Sequence, residues 1–198
     1  MKRLQNGFSV VVSISLLGLV GFQGYQQWQR NQADRPDYDN PAPSPRTTLL
    51  SSPEQSEEWQ VVRVSDGDSI VVRSGGREER VRFCGIDAPE AAQPWGAEAT
   101  TYLQQLIDAA GGRVLLMQTD RDRYGRMVAE VFTLLPTGEK SLQEEMLLAG
   151  MAYVYPQYVD SCPNPEPMKL AEAIAQEEGL GVWSGEYQRP WEFRQMNR

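Results

Sequence analysis

Hydrophobic and polar positions divide the chain into three stretches. The first is apolar. Lys2 and Arg3 precede Phe8-Ser-Val-Val-Val-Ser-Ile-Ser-Leu-Leu-Gly-Leu-Val-Gly-Phe22, and no charge follows until Arg30. As a helix, the uncharged stretch from Phe8 to Tyr25 would span roughly 27 Å, close to the thickness of a bilayer core. Residues 1–30 therefore read as a membrane anchor or an export signal, with the basic end cytoplasmic and the rest of the chain exported. An uncleaved segment predicts a single-pass membrane protein with its domain outside the cytoplasm; a cleaved one predicts a secreted or periplasmic protein. The second stretch, residues 31–56, is dense in Pro, Ser and Asp and has one apolar pair, Leu49-Leu50. It cannot bury enough surface to offset its ordering entropy and reads as a disordered tether.

The third stretch, residues 57–198, carries the periodicity of a folded domain. Gln60–Val64 and Ser69–Arg73 are β-rich runs around a Ser-Asp-Gly-Asp turn, and Ser74-Gly-Gly-Arg77 leads into Glu79–Cys84, where Val81 and Phe83 alternate with Arg80 and Arg82. Ala99, Tyr102, Leu103, Leu106, Ile107 and Ala110 share one face of a helix over 97–110, which Gly111-Gly112 stops. Strands follow near 113–118 and 127–134, and Ser141-Leu-Gln-Glu144 is a capping box opening a second helix that ends at Gly150. A short strand over 151–155 precedes a Pro-rich loop. A last helix, about 166–178, is expected to carry Leu170, Ala171, Ile174 and Ala175 inward. This order predicts an α+β domain: a five-stranded OB-fold β-barrel with three packed α-helices.

Composition then narrows the chemistry. The chain has 198 residues, 27 acidic and 19 basic side chains, and no histidine. Serine or cysteine triads built on imidazole and histidine-ligated zinc are excluded, leaving carboxylates, Tyr, Lys or a metal-bound water for acid–base work. Carboxylates favour hard cations. Residues 1–56 hold five basic and four acidic side chains, so the domain keeps 14 against 23 and is net −9. That balance argues against a general electrostatic grip on nucleic acid.

Asp66-Gly-Asp68 occupies a hairpin turn and Asp87-Ala-Pro-Glu90 a strand end. Each alone is a routine turn former, and for Asp66 that is the better reading. Asp68, Asp87 and Glu90, at the ends of neighbouring strands, can converge, and converging carboxylates repel unless a cation lies between them. Arg82 and the Asp122-Arg-Tyr-Gly-Arg126 turn have plain readings as a solvated strand residue and a charged loop. Beside a carboxylate-bound cation, Arg82 and Arg126 would instead neutralise a phosphodiester approaching its pentacovalent transition state.

In order and spacing, DGDSI, VRFCGIDAPE and DRYGR resemble the motifs of the staphylococcal nuclease (thermonuclease) family. The resemblance spans about Trp59 to Trp191, includes AYVY at 152–155 and GVWS at 181–184, and PWEFR at 190–194 looks like the tail of many bacterial homologues. It implies calcium-dependent phosphodiesterase activity on DNA and RNA with low sequence specificity, leaving 3′-phosphate ends. It also implies one calcium ion held by Asp68, Asp87 and the Ala88 carbonyl, with Glu90 deprotonating water. Arg82 and Arg126 would hold the phosphate, and Tyr124 and Tyr153 would line the nucleotide pocket. Two departures stand out. Ala88 replaces a frequent threonine, which matters little for a carbonyl ligand, and the 91–95 loop is shorter and lacks the prototype's lysines, which puts substrate grip in question.

Alternatives stay open at several positions. Tyr153 and Tyr155 share one strand face, and packing against the barrel competes evenly with nucleotide contact. Trp183 reads as a core anchor. Cys84 and Cys162, the only cysteines, are a disulfide or two free thiols. No obligate protein partner is implied, so a monomer is expected. The competing function is a non-catalytic OB-type module at the cell surface that binds nucleic acid or protein.

Overall fold

The computed structural model describes residues 57–135 and 138–197. The anchor or signal and the tether, residues 1–56, lie outside the described residues. Strands β1 (Glu57–Asp66), β2 (Ser69–Ser74) and β3 (Arg77–Phe83) form an antiparallel meander. The unbroken apolar run of β2 reflects burial on both faces, from Ile70 to Val72, whereas β3 alternates, burying Val81 and Phe83 and exposing Arg80. A two-residue strand β4 (Ile86–Asp87) and helix α1 (Gly96–Ala109) follow. Helix α1 buries Ala99, Leu103 and Ile107 at four-residue spacing and ends where Gly111 and Gly112 adopt positive φ, 68° and 77°.

Strands β5 (Arg113–Arg121) and β6 (Met127–Leu135) make the second hairpin, and β7 (Gly138–Ser141) extends it. The start of β1 pairs antiparallel with β5, and β3 runs parallel to β6 over Val81–Phe83 against Met127–Ala129. Those two pairings close β1, β2, β3, β6 and β5 into the five-stranded barrel that the pattern predicts. Helix α2 (Leu142–Leu148) starts at Ser141, whose Oγ accepts the Glu144 amide at 3.3 Å. Strand β8 (Tyr153–Val154) pairs with β4, and α3 (Pro165–Glu178) begins with proline in its first turn and stops at Gly179, φ 64°.

Two expectations are corrected. A fourth α-helix, α4 (Pro190–Met196), follows a 3-10 turn at Gly181–Trp183. The inward face of α3 is Met168, Ala171 and Ala175, while Leu170 is 63% and Ile174 36% exposed. Periodicity gives the width of an apolar stripe but leaves its phase to the neighbours. Here two alanines and a pliable methionine let α3 sit close, rotating the larger aliphatics outward.

The core gathers Trp59, Ile70, Val72, Val81, Phe83, Leu103, Ile107, Val114 and Val131 inside the barrel and under α1, with Leu142 and Met146 from α2. Burial of each large side chain contributes about 1.5–3 kcal/mol. Cys84 and Cys162 form a disulfide with Cα atoms 6.0 Å apart, tying the end of β3 to the loop before α3. Among the described residues no helix is long and apolar enough to cross a membrane.

Candidate active site

The site grows from the β1–β2 turn. The Asp68 amide donates to Asp66 Oδ1 at 3.1 Å, setting the tight turn, and Gly67 lets that turn press on its neighbours. A Cβ at position 67 would stand 2.7 Å from the Ala88 Cβ and 2.8 Å from the Ala99 Cβ. The missing side chain is what allows the Asp68 and Asp87-Ala88 segments to meet. Asp68 is 1% exposed: its Oδ2 accepts the Ala88 amide at 2.7 Å, and its Oδ1 accepts Ser69 Oγ at 3.0 Å and the Arg82 guanidinium. The β2–β3 register pairs Ser69 with Arg82, which delivers that guanidinium.

Arg82 reaches across to Asp87 as well, on β4, where the carboxylate is fully buried. Glu90 follows in a loop held by Gln93, whose Oε1 accepts the Glu90 amide at 3.0 Å and whose own amide donates to the Glu90 carbonyl at 2.8 Å. Arg194 on α4 completes the cluster. Its Nη1 donates to Asp87 Oδ1 at 3.0 Å and Glu90 Oε1 at 2.7 Å, and its Nη2 to Asp87 Oδ2 at 2.8 Å. Asp68, Arg82, Asp87, Arg194 and Glu90 thus form one continuous ionic chain.

Burial dominates the electrostatics. It pushes the Asp68 carboxyl up to about 8, helped by the nearby Asp66 and Asp87 charges, while Arg82 and the Ala88 amide pull the other way. Burial disfavours the charged form of Arg82, yet Asp68 and Asp87 outweigh it and hold the guanidinium protonated. Arg194 behaves likewise, its partial desolvation overcome by the bonds to Asp87 and Glu90.

Arg126 stands just before Met127, the residue that β3–β6 pairing sets beside Val81, so it borders the same strand ends as Arg82. Its guanidinium turns onto Asp122, with Nε donating to Oδ2 at 2.7 Å. Asp122 organises the whole turn, since its Oδ1 also accepts the Tyr124 and Arg126 amides at 2.9 and 3.0 Å. Those bonds outweigh burial and hold its carboxyl below the ordinary value. Tyr124 is 60% exposed, its ring flanked by Arg123 and Arg126. The structure buries Tyr153 instead. Its ring is 1% exposed, meets Trp183 and Trp191 edge-on and lies 4.1 Å beneath the Arg189 guanidinium. Its ring is packed rather than open to a ligand in this structure, and Trp183 is part of that packing. The more open ring is that of Tyr155, stacked on Trp191.

The sequence pattern thus names Asp68, Arg82, Asp87, Ala88 and Glu90, which the fold brings together, and places Arg126 and Tyr124 on the adjoining hairpin. It misses Arg194, Asp122 and Gln93. Among the described residues no three carboxylates gather closely enough to enclose an ion, and the guanidiniums of Arg82 and Arg194 lie between Asp68, Asp87 and Glu90. The donor set still fits a hard cation: two buried carboxylates, from different elements, already converge on positive charge.

Residues 80–185 match the family model described as staphylococcal nuclease homologue. An uncharacterized endonuclease of Escherichia coli O157:H7 is 36% identical over 137 residues, covering 68% of this chain and 83% of that protein. A micrococcal nuclease of Shigella flexneri is 34% identical over 145 residues, 70% and 81% of the two chains. A thermonuclease of Staphylococcus hyicus is 29% identical over 135 residues, 64% and 75% of the two. The matched span covers more than half of the chain, from the arginine-bearing strand to the turn before the last helix, and the chain belongs to the staphylococcal nuclease homologue family.

Proposed function

We propose that the protein is a calcium-dependent nuclease that hydrolyses DNA and RNA with low sequence specificity and leaves 3′-phosphate ends. Family membership and relatives named endonuclease, micrococcal nuclease and thermonuclease support nuclease activity. The observation that carries the finer reading is the convergence of buried Asp68 and Asp87 on Arg82, with Glu90 one guanidinium further along.

Asp68, Asp87 and the Ala88 carbonyl would hold the calcium ion. When bound, that ion supplies Lewis-acid charge and lowers the pKa of water. Arg82 and Arg126 bond the non-bridging phosphate oxygens, a planar guanidinium matching two of them at once, and neutralise the charge that grows towards the transition state. Glu90 accepts the proton of the attacking water. Attack in line with the P–O5′ bond breaks it, so the phosphate stays on the 3′ side. Tyr124, exposed beside Arg126, borders the path of the substrate strand. The chain works on substrates outside the cytoplasm as a monomer, tethered or released according to the fate of residues 1–30.

The test is digestion of end-labelled single-stranded DNA and RNA by the full chain with calcium or with a chelator, followed by identification of product ends. Cleavage with calcium alone and 3′-phosphate termini are expected. Arg82→Ala is expected to lower the rate roughly 100- to 1,000-fold, and Glu90→Gln to lower it as well. Equal binding with and without calcium and no product would favour the binding-module reading.

A further inference from the structure

Arg194 lies beyond the span that the family model matches, yet it makes three of the hydrogen bonds in the carboxylate cluster. It is delivered by a built structure. The Gln188 carbonyl accepts from Gln93 Nε2 at 2.9 Å, the same Gln93 that fixes the Glu90 amide. Arg189 lies over the rings of Tyr153 and Trp183 at 4.1 and 4.4 Å, and Pro190 is buried. Trp191 stacks on Tyr155 with centroids 5.2 Å apart and planes 7° from parallel. Contacts therefore run along residues 188–194 from the rings of Tyr153 and Tyr155 to the carboxylates.

We propose that α4 is a strap over the active site and that Arg194 is its resident counter-cation, which calcium must displace. The inference rests on reading Asp68 and Asp87 as calcium ligands and adds a regulation to that site. Three carboxylates, Asp68, Asp87 and Glu90, face two guanidiniums, Arg82 and Arg194. A dication seated on Asp68 and Asp87 needs lone pairs of Asp87, and Arg194 engages both Asp87 oxygens. A dication and a guanidinium that share one buried carboxylate repel each other. On this proposal one guanidinium yields, and attachment decides which. Arg82 is on a barrel strand with its side chain 17% exposed, whereas Arg194 is on the seven-residue helix α4 and 34% exposed. Withdrawal of Arg194 also frees Glu90 Oε1, the oxygen that has to accept a proton. The closed strap thus competes with calcium for Asp87 and Glu90. Metal and strap are linked reciprocally: whatever factor the closed strap takes from calcium affinity, calcium takes from strap closure.

The experiment is calcium titration of the full chain by calorimetry, without nucleic acid, for wild type and Arg194→Gln, with tryptophan emission followed in parallel. Arg194→Gln is expected to tighten calcium binding about tenfold, within the usual range of such couplings. Calcium is expected to change wild-type emission through Trp191, a change absent in Trp191→Phe. If Arg194→Gln leaves Asp87 too exposed to its neighbours' charge to fold without metal, Trp191→Ala carries the test, because it loosens α4 without touching a carboxylate and is expected to tighten calcium in the same direction. A merely structural Arg194 would lower the melting temperature without any gain in affinity. Calcium binding that is unchanged or weaker in the folded variant overturns the strap alone. No binding by wild type or variant overturns the calcium reading and the strap together.

Discussion

Asp68 and Asp87 are carboxylates taken almost wholly out of water, and a buried carboxylate is either paired or protonated. Asp68 is pulled both ways: burial pushes its pKa up to about 8, while the Arg82 guanidinium and the Ala88 amide favour the charged form. Its folded-state value exceeds the ordinary 3.8, so the stability it contributes is complete below that ordinary value and is lost as pH rises towards 8. The metal-free protein is therefore expected to melt at falling temperature across that window, and Asp68→Asn to flatten the slope. If Asp68 holds the proposed calcium ion, binding draws off the same proton, and affinity is expected to climb with pH, by at most roughly tenfold per unit for one proton, and to level off above 8. Calorimetry in buffers of different ionisation enthalpy reads the proton directly; no release below pH 8 would contradict the raised value. Tyr153 shows the limit of reading at this scale. Strand alternation places it on one face with Tyr155, but what covers that face is Trp183, Trp191 and Arg189, all more than twenty-five residues away in sequence.

At the scale of elements, turns and three helices were legible, while the phase of α3 and the presence of α4 were not. The Asp-Gly turn, the capping serine and the glycine stops are local, written in consecutive residues, and the barrel's five strands follow from them. The phase of α3 depends on what it packs against, and α4 carries its decisive arginine to a carboxylate 107 residues earlier, for which no local pattern exists. The β5–β6 hairpin lies between these cases. Its motif is plain, but the work of Asp122 as the organiser of Tyr124 and Arg126 is visible only in the bonds. Asp122→Ala is expected to leave the barrel folded, by circular dichroism, and to lower turnover roughly 10- to 100-fold by letting Arg126 wander, the scale of loss that follows a small misplacement. A rate close to wild type would show that Arg126 is positioned by the strand alone.

Across the whole molecule, a net charge of −9 over the domain coexists with a hairpin turn bearing Arg121, Arg123 and Arg126, onto which Arg80 of β3 also reaches. The acidity that argues against a broad grip on nucleic acid is thus compatible with a short basic edge beside the site, and contacts to only a few phosphates give a shallow salt dependence. Stability at this scale leans on the Cys84–Cys162 bond, which spans 78 positions and joins the barrel to the helical layer. Closing such a loop stabilises by about 4 kcal/mol in the chain-entropy account, so Cys84→Ser with Cys162→Ser is expected to lower the melting temperature by roughly 10 °C. A shift within a degree or two would place the bond's contribution elsewhere.

One of the two pairings that close the barrel is three parallel pairs, Val81–Phe83 against Met127–Ala129, and Arg82 and Arg126 sit at that junction. Whatever parts the two strands also parts the two guanidiniums. A sample warmed just far enough to open the junction would keep most of its helix signal and its disulfide while ceasing to turn over substrate. Inactivation in such a molecule is a clock for barrel opening, and its rate, compared with that of the global transition, measures how far the first step of unfolding runs ahead of the rest.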